Sequence, residues 1–348
     1  MGWSDFRDRA ARGGTAACPL VFATWSARAM NSSRAIEVAQ PSGAHTRCAA
    51  SVDTPGTQFF HSGGMRWRLL RAGQGPRVLL LHGTGSDCES WARLTTALAD
   101  HFAILAPDLP GHGASGVLPR SDAGLDRYAA AVGALVRELS AWPDIIVGHS
   151  AGAAIAARMV LDATPASSAT PALISLNGAL RPLSGWTAAT FVPLAKLVGI
   201  NAAVPGLIGS LLAKMVAGDP YSVRRLLKST GSRVDAGMIA HYEQLMRNSA
   251  HLAGTLRMLA QWDLRGLVPD LHALGARLTL VAGEFDRTVP VREAHWVHGQ
   301  VPGSSLVALP GLGHLAHEEA PDAVARIVLS VAHNRGLLDG VQRAQERA

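Results

Sequence analysis

Cysteine is scarce in this chain, and so is charge. Only three of the 348 residues are cysteines, and Cys18, Cys48 and Cys88 are widely spaced with no CxxC pair among them. The sequence therefore indicates neither a disulfide framework nor a zinc site, and it is typical of a reducing compartment such as the cytoplasm. Charged residues make up 17% and hydrophobic residues 48%, which excludes a chain that is disordered throughout and favours one enlarged α/β domain.

The sequence also lacks the signatures of several other classes of protein. Its most apolar stretch, residues 197–213, is interrupted by Asn201 and Pro205, so no transmembrane segment is expected. No P-loop, dinucleotide fingerprint or cluster of metal ligands is present, so we expect no cofactor and no metal ion. The net charge is +6, but the basic residues are dispersed and no nucleic-acid-binding motif accompanies them, so nucleic acid is not an expected partner.

Short apolar runs alternate with helical patterns from Met65 onward. Continuous apolar strands separated by helices predict a mostly parallel sheet that is covered by helices on both faces. Helices are expected near residues 91–99, 125–139 and 151–161. The predicted strands lie in the segments MRWRLL, RVLLLHG, FAILAPD, DIIVGHS, PALISLNG, RLTLVAGEFD and SSLVALPG.

This pattern divides the chain into regions. Residues 1–62 show no sustained period and are expected to form a poorly ordered extension. The α/β core is expected over 63–178 and 264–336, and a short tail over 337–348. Between its two parts, residues 179–263 (the lid insertion) carry only helical, apolar patterns, and we expect them to cover the carboxyl ends of the strands, where α/β folds bind ligands.

The strongest chemical motif is GHSAG, at residues 148–152. It follows a predicted strand directly and precedes an alanine-rich helix, which is the context of a nucleophile elbow. The glycines on each side allow tight backbone packing, while Ser150 sits at the apex with its hydroxyl exposed. Ser150 is therefore the predicted nucleophile, against the alternative of an inert serine in a turn.

A serine hydroxyl needs a base and an orienting carboxylate, which this fold supplies in the order serine, acid, histidine. Asp286 and His314 follow two later strands, so both should lie at the same sheet edge as Ser150. We predict Asp286 as the acid and His314 as the base. Glu284 and Asp263 remain alternative acids, and His317 is expected to have a solvated or helix-capping role.

Acyl transfer also requires donors for the oxyanion. The glycine-bearing loop after the first strong strand presents backbone N–H groups, and we predict that the amides of Thr84 and Ala151 form the oxyanion hole. His82 is expected to orient this loop rather than to carry a proton. Together with Gly83 and His149, it is predicted to line the substrate-binding site.

Several segments carry a family resemblance. The chain from Met65 to about Asn334 resembles the α/β-hydrolase superfamily, and the serine nucleophile argues against the dehalogenases and epoxide hydrolases of this fold, which use an aspartate there. Within the superfamily it is most similar to the magnesium chelatase accessory proteins of bacteriochlorophyll biosynthesis. That resemblance implies a role in magnesium tetrapyrrole synthesis, chelatase subunits as partners and a location at the photosynthetic membrane. It rests on LHGTGSDCESW, HSAGAAIAARM, ISLNGAL, LLKSTGSRVD, MLAQWDL and GLGHLAHEE.

The lid insertion concentrates positive charge. Between Arg181 and Trp262 there are nine basic residues and three acidic ones. An apolar, cationic lid suits a small hydrophobic substrate or ligand with carboxylates, such as a porphyrin with propionates. The alternatives are charge for solubility or for a membrane surface. Three functions stay open: a serine hydrolase of pigment synthesis, a non-catalytic porphyrin-binding or chelatase-assisting protein, and a carboxylic ester hydrolase of unrelated metabolism.

Overall fold

The computed structural model describes residues 56–118, 123–163, 170–182, 219 and 221–338. Eight strands form one sheet in the order β1-β2-β4-β3-β5-β6-β7-β8. All seven strands that the sequence predicts are present, and the central ones are apolar runs that the sheet buries almost completely. The strands are β1 Gly56–Ser62, β2 Met65–Ala72, β3 Arg77–Leu81, β4 Ala103–Pro107, β5 Ile145–His149, β6 Ala172–Leu176, β7 Leu278–Gly283 and β8 Ser305–Leu309.

Strand β1 corrects the expected extent of the extension. Residues 56–62 were assigned to the poorly ordered segment, yet they pair antiparallel with β2 along their whole length. The turn between the two strands is Gly63 and Gly64, both with positive φ (59° and 74°), as a two-residue hairpin turn requires. Because β1 is an edge strand whose residues are mostly exposed, it has no buried face for a periodicity to reveal.

The sheet direction brings the carboxyl ends of its central strands to one edge. β2 pairs antiparallel with β4, whereas every pairing from β4 through β3, β5, β6 and β7 to β8 is parallel. The loops that follow β3, β5, β6, β7 and β8 therefore meet at one edge, and these loops carry the candidate site.

Helices cover both faces of the sheet, as expected. One buried cluster packs α2 and α3 against one face, and a second packs α1 and α9 against the other. The helices of the core are α1 Ala92–Leu98, α2 Leu125–Glu138, α3 Ala151–Asp162, α7 Val291–Gln300, α8 Ala316–Glu319 and α9 Pro321–Asn334, with 3-10 helices at Cys88–Trp91 and Val268–Arg277.

The described part of the lid insertion is helical. It contains α4 Ser222–Ser229, α5 Ala236–Arg247 and α6 Ser249–Gln261. The buried apolar residues of α4 and α5 form a small cluster with Leu315 of the core, whereas Met258 of α6 belongs to the large core cluster. Residues 183–218 of the insertion, residues 1–55 of the extension and residues 339–348 of the tail lie outside the described residues. Among the residues that the structure covers, no helix is both long enough and apolar enough to cross a bilayer.

Candidate active site

Ser150 stands at a strained turn between β5 and α3. Its φ is 51° and its ψ is −116°, a conformation that non-glycine residues rarely adopt. The turn depends on its glycines, because a Cβ on Gly148 would lie 2.5 Å from Ala153 Cα and one on Gly152 would lie 2.2 Å from the Leu81 carbonyl oxygen. While its neighbours in β5 and α3 are buried, Ser150 is partly exposed. The geometry is that of the predicted elbow.

His314 and Asp286 form a buried pair. The Nδ1 of His314 lies 2.7 Å from Oδ2 of Asp286, and both residues are less than 10% exposed. The other carboxylate oxygen of Asp286 accepts hydrogen bonds from the amides of Thr288 (2.7 Å) and Val289 (2.9 Å). These bonds fix the carboxylate, which in turn holds the proton of His314 on Nδ1 and leaves Nε2 able to accept one.

The alternative acids have other partners. Glu284 is exposed, and its carboxylate accepts from the amide of Gly311 at 3.2 Å. Asp263 is also exposed and forms an ion pair with Arg265 at 2.6 Å. Of the three carboxylates considered, Asp286 is the one within hydrogen-bond distance of His314.

His317 does not have the solvated or capping role that its sequence position suggested. It is completely buried, and its ring lies 4.3 Å from that of Trp91 and 4.5 Å from that of His149, measured between centroids. Burial lowers the pKa of His317 to about 3, so the ring is neutral at physiological pH. The position just after a loop histidine suggested exposure, but Trp91 covers this side chain from a distant part of the chain.

The loop after β3 lies beside Ser150. A Cβ on Gly83, the residue before Thr84, would be 3.0 Å from the Cβ of Ser150, so the backbone of this loop passes directly against Ser150. Ala151 is the first residue of α3, where amides have no partner within the helix. The hydroxyl of Thr84 donates to the sulfur of Met258 in α6 at 3.4 Å, which connects this loop to the lid insertion.

His82 and His149 contact protein rather than an open surface. His82 is fully buried; its Nε2 accepts from the amide of Leu109 and its Nδ1 donates to the carbonyl of Gly83, both at 2.8 Å. It therefore orients the loop, and the structure gives it no face toward a substrate. His149 is 3% exposed and its Nε2 donates to the carbonyl of His314 at 2.9 Å, so it supports the backbone of His314 instead of lining a ligand site.

Asn177 was missed by sequence reasoning. It follows β6 with a φ of 46°, and its side-chain nitrogen donates to the carbonyls of Gly313 (2.9 Å) and His314 (2.7 Å). Its side-chain oxygen accepts from the amide of Gly283 at 2.7 Å. The residue thus ties the loops after β6, β7 and β8 together. The available signal was an asparagine before a glycine at the carboxyl end of a strand.

Helix α5 is joined to the core by buried polar contacts. The hydroxyl of Tyr242 donates to the carboxylate of Glu318 at 2.9 Å and lies 3.2 Å from the hydroxyl of Ser86. His241 is 3.0 Å from the carboxylate of Asp87, which raises the pKa of His241 in spite of its burial. Burial raises the pKa of Glu318 to about 7. Glu318 can therefore change charge near neutral pH.

The segment after α4 contacts both loops of the buried pair. The amide of Arg287 donates to the carbonyl of Thr230 at 3.0 Å, next to Asp286. The amide of Leu315 donates to the hydroxyl of Ser232 at 2.9 Å, next to His314. Gly231, with a φ of 86°, passes so close to the first loop that a Cβ there would lie 1.9 Å from the carbonyl oxygen of Phe285.

Buried histidines are frequent around the site, but they do not form a metal centre. Within the described ranges, no three His, Cys, Asp or Glu side chains are grouped so that they could hold a metal ion. The buried pair of His314 and Asp286 is an arrangement suited to proton transfer.

Comparison with known proteins agrees with this fold. The family model described as "Alpha/beta hydrolase family" matches residues 78–327, and the chain belongs to that family. Solved structures that are only distantly similar in sequence show the same fold. An alpha/beta hydrolase fold protein from Burkholderia ambifaria has a TM-score of 0.62 at 24% identity, with 78% of this chain and 97% of that chain covered.

Two curated relatives are more similar in sequence. The magnesium-chelatase 30 kDa subunit of Rhodobacter capsulatus is 34% identical over 269 residues, which is 77% of this chain and 91% of that protein. A pimeloyl-[acyl-carrier protein] methyl ester esterase from Methylococcus capsulatus is 32% identical over 223 residues, which is 63% of this chain and 80% of that protein. The relatives thus include a chelatase subunit and an esterase.

Proposed function

We propose that this protein is a serine hydrolase that cleaves carboxylic esters through Ser150, His314 and Asp286. The observation that carries the proposal is the buried 2.7 Å contact between Asp286 and His314 at the sheet edge where Ser150 occupies its strained turn. His149, the residue before Ser150, donates to the carbonyl of His314, a contact that supports the proposal by joining the backbone next to the proposed nucleophile to that of the proposed base. The relative that is an esterase supports the same reaction class.

The proposed reaction has two halves. Ser150 attacks the ester carbonyl while Nε2 of His314 takes its proton, and Asp286 stabilises the imidazolium that forms. The amides of Thr84 and Ala151 donate to the oxyanion. The tetrahedral intermediate then expels the alcohol, which receives the proton from His314. In the second half, His314 activates a water that releases the acid from Ser150.

An activity-based probe tests this reaction. Purified protein should react with a fluorophosphonate at Ser150 and should hydrolyse p-nitrophenyl butyrate. Ser150→Ala should abolish both. Ser140→Ala is the matched control, since Ser140 is also a serine with a φ of 51° but lies in the turn after α2. Labelling that persists in Ser150→Ala, or that never occurs in wild type, contradicts the proposal.

A second function is favoured by the relative that is a magnesium-chelatase subunit. We propose that the protein assists a magnesium chelatase in tetrapyrrole synthesis, with a carboxylated tetrapyrrole as ligand and the membrane surface as a site of action. The exposed basic residues of α4, Arg224, Arg225 and Lys228, provide charge for such a ligand or surface.

The two functions can be separated in the cell. A strain carrying Ser150→Ala as its only change should accumulate tetrapyrrole intermediates if hydrolysis serves pigment synthesis. Normal pigment in that strain, together with a defect in a complete deletion, indicates an assisting role without catalysis. Normal pigment in both strains indicates an ester hydrolase of unrelated metabolism.

A further inference from the structure

Helices α5 and α6 of the lid insertion are hydrogen-bonded to the loop after β3. Three residues of that loop each bond through their side chains to one of the two helices. The pairs are Thr84 with Met258, Ser86 with Tyr242 and Asp87 with His241, at 3.4, 3.2 and 3.0 Å. The amide of Thr84 is the proposed oxyanion donor, so the lid insertion contributes to where that amide lies.

Tyr242 of α5 joins this loop to the helix that follows the proposed base. Its hydroxyl donates to Glu318 at 2.9 Å and lies 3.2 Å from the hydroxyl of Ser86, and all three residues are 5% exposed. Glu318 belongs to α8, four residues after His314. We propose that Tyr242 is a positioning residue, whose hydroxyl holds the loop of Thr84 so that its amide points at the oxyanion. This inference rests on the hydrolysis proposed above and adds a residue of the lid insertion to it.

The protons of these groups determine which of them donates. Burial, with the carboxylate of Glu318 beside it, raises the pKa of Tyr242 well above its usual value, so its hydroxyl keeps its one proton. At pH 8 the carboxyl group of Glu318 is ionised, because its pKa is about 7, and an ionised carboxylate can only accept. Tyr242 therefore donates to Glu318, and Ser86 donates to Tyr242. Tyr242→Phe removes both bonds, whereas Ser86→Ala removes only the second.

A tight turn connects Ser86 to the amide of Thr84. The amide of Ser86 donates to the carbonyl of Gly83 at 3.2 Å, which makes Thr84 and Gly85 the two central residues of the turn. Gly85 has a φ of 78°, the value that a type II turn requires at its second central position. The hydrogen bond of this turn does not use the amide of Thr84. A displacement of Ser86 would rotate the turn and move that amide, and oxyanion stabilisation depends on the direction of its donors.

Steady-state kinetics with p-nitrophenyl butyrate at pH 8 test the inference. Tyr242→Phe and Ser86→Ala should each lower kcat about tenfold and leave KM within about threefold, because a positioning residue acts on the transition state. The double variant should stay within about twofold of the slower single variant, since both changes remove the same bond.

Tyr128→Phe is the matched control. Tyr128 is 3% exposed and its hydroxyl donates to the carbonyl of Pro110 at 3.1 Å, so this variant also loses a buried hydrogen bond of a tyrosine. It should keep kcat within about threefold, because the lost bond does not involve the loop after β3.

A thionoester separates positioning of the oxyanion donor from a general loss of structure. In O-(4-nitrophenyl) thionobutyrate the negative charge develops on sulfur, which accepts hydrogen bonds more weakly than oxygen does. A displaced amide of Thr84 should therefore slow the ester more than the thionoester. The ratio of kcat for the ester to kcat for the thionoester should fall about fivefold in Tyr242→Phe and in Ser86→Ala, and stay within about twofold of wild type in Tyr128→Phe.

The outcomes distinguish this inference from the proposed function. Unchanged kcat in both single variants, losses that add in the double variant, or an unchanged ratio would each overturn the inference while wild type still hydrolyses the ester. If Tyr242→Phe does not fold, the rate and the ratio of Ser86→Ala decide alone. A wild type that is inactive on the ester would overturn the proposed function, and this inference with it.

Discussion

The side-chain amide of Asn177 donates a 2.7 Å hydrogen bond to the carbonyl oxygen of His314. The same oxygen accepts a 2.9 Å bond from Nε2 of His149. One donor at the end of β5 and one directly after β6 therefore fix the backbone of the proposed base. The orientation of the imidazole then depends on three neighbouring strands rather than on its own loop.

Asn177→Asp should lower the kcat of ester hydrolysis roughly 10- to 100-fold, because small displacements of a catalytic group have effects of this size. The substitution keeps the acceptor for the amide of Gly283 but replaces the donor to His314 with a carboxylate oxygen. The added negative charge should also move the acidic limb of the pH profile to higher pH. Rates of p-nitrophenyl butyrate hydrolysis from pH 5 to 9 measure both effects. A purely structural role would lower stability without moving the limb.

Asp286→Asn should reduce kcat by about 10³- to 10⁴-fold, because an amide no longer favours the proton on Nδ1 of His314. Glu284→Gln is the matched control, two residues away and exposed, and should keep its rate within about threefold. Steady-state kinetics of the two variants decide between the candidate acids. An equal loss of kcat in both variants would contradict the role of Asp286 as the acid.

Gly231→Ala should lower the free energy of unfolding by roughly 3 kcal/mol or more, since it combines a positive φ with a clash against the carbonyl of Phe285. Gly303→Ala is the control, because its φ of 82° is nearly the same but the nearest atom to the added Cβ is 3.4 Å away. That variant should lose only about 1 kcal/mol. Urea denaturation measures the free energy of unfolding of both variants. Equal losses of stability would show that the positive φ, and not the clash with Phe285, determines the cost.

Glu318 should make stability depend on pH. Its pKa is about 7 in the folded protein against a usual value near 4.5, so the folded state holds a proton that the unfolded chain releases. Its contribution is fully present below pH 4.5 and is lost as the pH rises through 7. The free energy of unfolding of Glu318→Gln, taken relative to that of wild type, should therefore be about 2–3 kcal/mol higher at pH 8 than at pH 4. Urea titrations of both proteins at pH 4 and pH 8 measure these free energies. The same difference between variant and wild type at both pH values would contradict the prediction.

The sheet and the triad positions could be predicted because they depend on local pattern. Strand β2 alternates and strands β3 to β8 are short, mainly apolar runs, and the ends of β5, β7 and β8 place Ser150, Asp286 and His314 at one edge whatever the details of packing. The roles of these residues remain predictions, as do those of Thr84, Ala151 and Gly83, but the positions that the pattern assigned to them agree with the structure.

The residues whose contacts the sequence does not predict have partners that are distant in the chain. Asn177 bonds to residues 136 and 137 positions away, and Trp91 covers His317 from more than 200 positions away in sequence. His82 and His149 looked like lining residues because they flank the nucleophile and its loop. Their ring nitrogens instead bond to backbone groups that no sequence spacing reveals.

The contacts of Thr230, Gly231 and Ser232 have a consequence for chimeric proteins. If the insertion only covered the edge of the sheet, the whole insertion could be replaced by that of a relative. Here the turn after α4 is hydrogen-bonded to the loops of both Asp286 and His314. A graft that begins at residue 179 and ends at residue 263 would therefore replace residues that support the candidate site. Exchanges of specificity should therefore be cut inside the insertion, with residues 230–233 retained from the recipient.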